Sequence, residues 1–176
     1  GIGKTALAQR CLYDILELCE SQPEDNRIFD MILWVSLKTN RLTQSGAVNI
    51  KNAITNSSEM FKDIHKNLAM DIEGSLDDIL KEILEYLETF KILLCIDNLE
   101  TISSSEVRDF LSQIPNNSKV VITTRMGLGE IEYRFKLDKL NDKDSIELLR
   151  HMAKLLNISS LLKKNTEALK IICKKL

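Results

Sequence analysis

Apolar residues at Leu7, Cys11, Ile15, Leu18 and Cys19 recur every three or four positions with no Gly or Pro between them, so the pattern predicts an amphipathic helix over Thr5–Cys19. The pattern then changes. Ile28–Ser36 is an almost unbroken apolar run of strand length, as expected of a strand covered on both faces in a parallel sheet, with Trp34 filling core. Residues 37–56 are polar and carry no period, which predicts a loop. Helical spacing returns at Met60, Phe61, Ile64 and Leu68. It returns again, behind a capping box of Ser75 and Asp78, at Leu76, Ile79, Leu80, Ile83, Leu84 and Leu87.

Lys91–Ile96 reads as a second buried strand and ends on Asp97. Ser103-Ser104-Ser105-Glu106 reads as another capping box, opening a short helix through Val107, Phe110, Leu111 and Ile114. Lys119–Thr123 reads as a third strand and Tyr133–Leu137 as a fourth, while Gly127 and Gly129 read as loop glycines. After Leu140 only helical patterns remain, one capped at Asn141 and one from about Thr166 onward. Strands alternating with helices and then helices alone predict an α/β domain over residues 1–138 and the start of a helical one over 139–176.

Composition narrows the function classes. The 176 residues are 44% hydrophobic and 28% charged, with a net charge of −2, which gives no electrostatic case for nucleic acid or an anionic membrane. No apolar run approaches the length of a membrane span. The four cysteines, Cys11, Cys19, Cys95 and Cys173, form no C-x-x-C pair and read as buried thiols of a reducing compartment. His65 and His151 lack ligand-spaced partners and read as surface or half-buried helix positions.

Three stretches carry chemistry. Gly1-Ile2-Gly3-Lys4-Thr5-Ala6 has the form of the back half of a phosphate-binding loop opening into a helix. Glycine lets backbone N–H groups converge on an anion, the helix start adds its positive dipole end, Lys4 adds a point charge, and the Thr5 hydroxyl suits Mg²⁺. The competing reading is a helix N-terminus that merely begins with Gly and Lys. The second stretch is Ile92–Asp97, a hydrophobic strand that delivers a carboxylate to the ligand-binding edge of an α/β sheet. The third is Val120–Arg125, a strand ending in two hydroxyls and a guanidinium. Arg125 either senses a γ-phosphate or pairs with a local carboxylate such as Glu130 or Glu132.

Gly1–Ala8, Leu33-Trp34-Val35-Ser36, Leu93–Glu100, Ser118–Arg125 and the Leu137 to Leu140 step, in that order and spacing, resemble the NB-ARC domain of STAND signalling ATPases over roughly residues 1–155. That family includes plant disease-resistance proteins, apoptotic scaffolds, and bacterial regulators and anti-phage sensors. The resemblance implies a P-loop NTPase fold, a parallel sheet followed by helical and winged-helix subdomains. It implies ADP held at rest and exchanged for ATP on oligomerisation, with slow Mg²⁺-dependent hydrolysis in the cytoplasm. By residue, it implies that Gly1, Ile2, Gly3, Lys4, Thr5 and Ala6 cradle phosphates, Thr5 and Asp97 serve Mg²⁺, and Arg125 reads the terminal phosphate.

The sequence departs from the family pattern in three ways. The loop's first glycine and the sheet's central strand are expected upstream of Gly1, with Lys119–Thr123 and Tyr133–Leu137 beside that strand. A Gly-Leu-Pro-Leu segment is expected beyond Leu176. Asn98 stands where many relatives have a second acid, which leaves Glu100 as the nearest carboxylate to polarise water. Asn98 also counts against the alternatives of a motor ATPase or a phosphotransferase; a nucleotide-binding scaffold that does not hydrolyse is the remaining one.

Overall fold

The computed structural model describes residues 3–43, 46–68, 74–102, 104–129 and 132–175. The chain forms two compact units, Gly1–Arg134 and Phe135–Leu176.

The first unit opens with α1 (Lys4–Glu20), followed by β1 (Met31–Ser36), β2 (Asn40–Thr43) and β3 (Gly46–Asn49). Then come α2 (Ser57–Asn67), α3 (Leu76–Thr89), β4 (Ile92–Asp97), α4 (Ser105–Ser112) and β5 (Lys119–Thr123). The second unit holds α5 (Asp142–Leu155), α6 (Ser159–Leu162) and α7 (Thr166–Lys175). Within it Lys170 forms a 2.8 Å ion pair with Asp142, and Asn141 caps α5 through the Asp144 amide.

Three parallel strands form the main sheet in the order β1-β4-β5. All six residues of β4 are buried, because it has a strand on each edge and helices over each face. Period-two alternation sorts its side chains. Ile92, Leu94 and Ile96 enter a large core with Leu33 and Val35 of β1 and the buried faces of α2, α3 and α4. Leu93 and Cys95 turn the other way, onto Ala8 and Leu12 of α1, with Trp34 packed beside them. Asp97 continues the second series, so the alternation puts its carboxylate on the face that α1 covers.

The structure corrects several expectations. Residues 37–56 contain the antiparallel hairpin β2–β3, which no apolar alternation announces. Residues 133–137 are irregular: the Tyr133, Phe135, Leu137 alternation looks like a strand but has no partner among the described residues, and Tyr133 is 99% exposed. One edge of Lys119–Thr123 is taken by direct pairing with β4, so these two strands are neighbours. The α4 cap is shifted by one residue: Ser104 accepts from the Val107 amide, and Ser103 lies outside the described residues. The buried face of α1 is Ala8, Leu12 and Cys19, while Leu7, Cys11 and Leu18 are exposed, because this helix carries apolar residues around much of its circumference. The Ser75–Asp78 capping box is present with both of its bonds.

Candidate functional site

Of the phosphate-loop residues, Gly1 and Ile2 lie outside the described residues. Gly3 is the N-cap of α1 at φ +87°, the left-handed region that glycine enters without penalty. A Cβ added there meets nothing within 4 Å, so the requirement for glycine is one of backbone conformation and not of space.

The start of α1 differs from the others in a way that matters chemically. Side-chain oxygens of Asn56, Ser75, Ser104 and Asn141 cap α2, α3, α4 and α5, and each of those helices has an acid in its first turn. α1 has neither a side-chain cap nor an acid. Its first amides, from Lys4, Thr5 and Ala6, and its positive dipole end are left for an external acceptor.

Three elements converge in front of that bare helix end. Thr5 Oγ1 donates to Asp97 Oδ1 at 2.7 Å, joining α1 to the end of β4. Thr123 stands opposite Asp97 in the β4–β5 register, and its hydroxyl donates to the same oxygen at 2.6 Å. Ser36 stands opposite Asp97 on the other side, and two residues further along the same alternation Lys38 brings its ammonium to 3.2 Å from Asp97 Oδ2. That contact is an ion pair off the hydrogen-bonding direction. Oδ2 is buried and has no hydrogen-bond donor among the described residues.

Glu100 and Arg125 form a second pair at the rim. Glu100 Oε1 lies 3.2 Å from Arg125 Nε, and its Oε2 accepts from the Arg125 amide at 3.2 Å. Of the two local carboxylates weighed for Arg125, Glu132 instead accepts from the Leu128 amide, and Glu130 lies outside the described residues. Asn98 adopts φ +70°, donates its backbone N–H to the Thr123 hydroxyl at 2.9 Å, and ties its amide group to Thr101 at 2.6 Å.

Lys4, Thr5, Lys38, Asn98, Thr123 and Arg125 all line one cleft of about 350 Å³. Lys38 pairs with Asp97 and Arg125 with Glu100; among the described residues Lys4 has no carboxylate at ion-pair distance. The space suits a small polyanion, with backbone donors on one side and cations around it.

The donor set also fits a hard divalent cation. The Thr5 hydroxyl and the Asp97 carboxylate oxygen, 2.7 Å apart, have close to the ~2.9 Å spacing of adjacent ligands around Mg²⁺. The buried Oδ2 still lacks a donor. Among the described residues no group of three or more His, Cys, Asp or Glu side chains gathers into an all-protein metal site. That is compatible with an ion held largely by phosphates and water.

Lys38 is the residue that sequence reasoning missed. It lies beyond the apolar run, and only the β1–β4 register puts it beside Asp97. His65 also departs from expectation: it is buried, with Nε2 2.7 Å from Glu82 Oε2, and joins α2 to α3. Burial, and secondarily the Asp97 charge, push the Cys95 thiol up to about 12. Among the described residues no helix is long and apolar enough to cross a membrane.

Comparison with known proteins agrees with this geometry. The model of the NB-ARC domain matches residues 1–157. No curated protein and no solved structure matches the chain. A parallel α/β sheet, a glycine-capped bare helix and an acid-ended neighbouring strand, taken with a family match over most of the sequence, show that the chain belongs to the NB-ARC domain family, the nucleotide-binding P-loop NTPase modules of STAND proteins.

Proposed function

We propose that the chain is the ATP/ADP-binding switch of a STAND-type signalling or defence protein, with residues 1–138 holding the nucleotide and 139–176 beginning the helical ARC-type part. The observation that carries this reading is the uncapped, acid-free start of α1 facing Asp97 through Thr5. Lys4 and the amides of Lys4, Thr5 and Ala6, together with Gly1, Ile2 and Gly3, bind the phosphates. Thr5 and Asp97 take Mg²⁺, which when bound neutralises phosphate charge and orients the terminal group.

Arg125 and Glu100 are the groups poised to respond to a γ-phosphate. Their present pairing keeps the guanidinium satisfied when that group is missing. Asn98 cannot take a proton from water, and its amide is occupied by Thr101. Hydrolysis, which falls to Glu100 as the remaining carboxylate, is therefore slow, and the bound nucleotide sets a lasting state. In this reading the ATP state favours self-association of the full-length protein, which works in the cytoplasm, where its unpaired cysteines stay reduced.

Sedimentation of the full-length protein with ADP and with a non-hydrolysable ATP analogue tests the switch. The expected result is a larger species with the ATP analogue only. Identical sedimentation with both nucleotides, each shown to be bound, contradicts it.

A further inference from the structure

Asp97 is fully buried at the end of β4, and hydroxyls alone reach its Oδ1. A buried carboxylate served only by neutral donors lacks a compensating positive charge. The Lys38 ammonium supplies one, 3.2 Å from Oδ2, and no hydrogen bond holds it there. We propose that Lys38 is the metal-free counter-ion of Asp97 and competes directly with Mg²⁺ for it. On this view Lys38 sets how strongly nucleotide binding depends on the metal. The inference rests on the nucleotide reading of the cleft.

The geometry suits a partner that must come and go. A lysine is a compact charge on a flexible four-carbon stem, whereas an arginine would engage the carboxylate through a fixed fork. The Lys38 side chain is 40% exposed, so its ammonium can withdraw into water without a large rearrangement. Its backbone position is nevertheless fixed, because the neighbouring Leu37 amide donates to the Asp97 carbonyl at 2.9 Å. A divalent ion between Thr5 and Asp97 would stand close to this ammonium in a partly dry site, where like charges repel strongly. Both cations cannot be held at once. Lys38 therefore keeps Asp97 compensated when metal is absent and is released when metal arrives. It is a positioning residue, acting on the metal through the carboxylate.

The test uses full-length protein and a fluorescent ADP titrated across Mg²⁺ concentrations. In Lys38→Met the Mg²⁺ midpoint for ADP binding falls by about tenfold, because a competitor has been removed, and the metal-free protein melts at a lower temperature. An unchanged or raised midpoint, with ADP still bound, overturns the role of Lys38 and leaves the nucleotide reading intact. A parent that binds no ADP at any Mg²⁺ concentration overturns the nucleotide reading itself, and this inference with it. Should Lys38→Met not fold, the parent gives the answer through acylation of Lys38 by a succinimidyl ester, followed by peptide mass spectrometry. Acylation several-fold faster with Mg²⁺ and ADP than with ADP and chelator is the expected result, and equal rates overturn the proposal.

Discussion

Thr5 Oγ1 and Asp97 Oδ1 meet at 2.7 Å although 92 residues separate them in sequence. The contact follows from two simple periodicities. Helix α1 must start at Gly3, where the backbone turns left-handed, and β4 must point its odd-numbered residues at α1. A hydroxyl at the first turn and a carboxylate at the strand end are then forced together.

Asp97→Ala removes the only carboxylate in this contact, and we expect it to weaken nucleotide binding in the presence of Mg²⁺ while changing metal-free binding little. Titration with and without chelator measures the difference. Equal nucleotide affinity with and without Mg²⁺ in the parent contradicts the assignment of Thr5 and Asp97 to the metal.

Lys4→Ala removes a cleft cation that no carboxylate among the described residues neutralises. Loss of a charge-assisted contact of this kind costs ~1.5–3 kcal/mol, so affinity for ADP and for ATP should fall by at least about tenfold. Calorimetry with both nucleotides checks it; unchanged affinity would remove Lys4 from the site.

Arg125→Ala should shift the preference for ATP over ADP more than it shifts ADP affinity, since Arg125 has Glu100 as its partner when no γ-phosphate is present. Equal losses for both nucleotides make it a general phosphate clamp. No change for either leaves the pair with Glu100 as its only role.

Gly3→Ala places a Cβ at φ +87°, at a cost of ~1–2 kcal/mol even though the site has room for it. Denaturant unfolding should show a loss of that size, together with weaker nucleotide binding. Unaltered stability would mean that the start of α1 relaxes out of the left-handed conformation.

The raised Cys95 value has a definite sign. The fold holds the proton, so the stability it contributes is complete below the ordinary thiol value of 9.0 and is lost as pH rises from there towards about 12. At mildly alkaline pH, mass-spectrometric mapping of a thiol reagent should find the exposed Cys11 modified in the native protein and Cys95 only after unfolding. Equal native rates would show that β4 is not buried.

Legibility in the sequence followed periodicity. β1, β4, β5 and α3 announce themselves because long apolar runs and a capping box leave few alternatives. The β2–β3 hairpin hides in a polar stretch, since backbone pairing there needs no apolar face. Residues 133–137 show the opposite failure, an alternation with no neighbouring strand among the described residues to pair with. Within the site, Thr5, Asp97 and Arg125 could be read from motifs because each lies at or just beyond the end of a regular element. Lys38 could not, because its relation to Asp97 exists only once β1 is registered against β4.

The most direct measurement is whether the full-length protein carries nucleotide. After purification and denaturation, chromatography of the supernatant should release adenine nucleotide in near-stoichiometric amount, and stripped protein should rebind ADP in a Mg²⁺-sensitive manner. Protein that releases no nucleotide and shows no binding of ADP or ATP on titration, with or without Mg²⁺, would contradict the assignment of this cleft to a nucleotide.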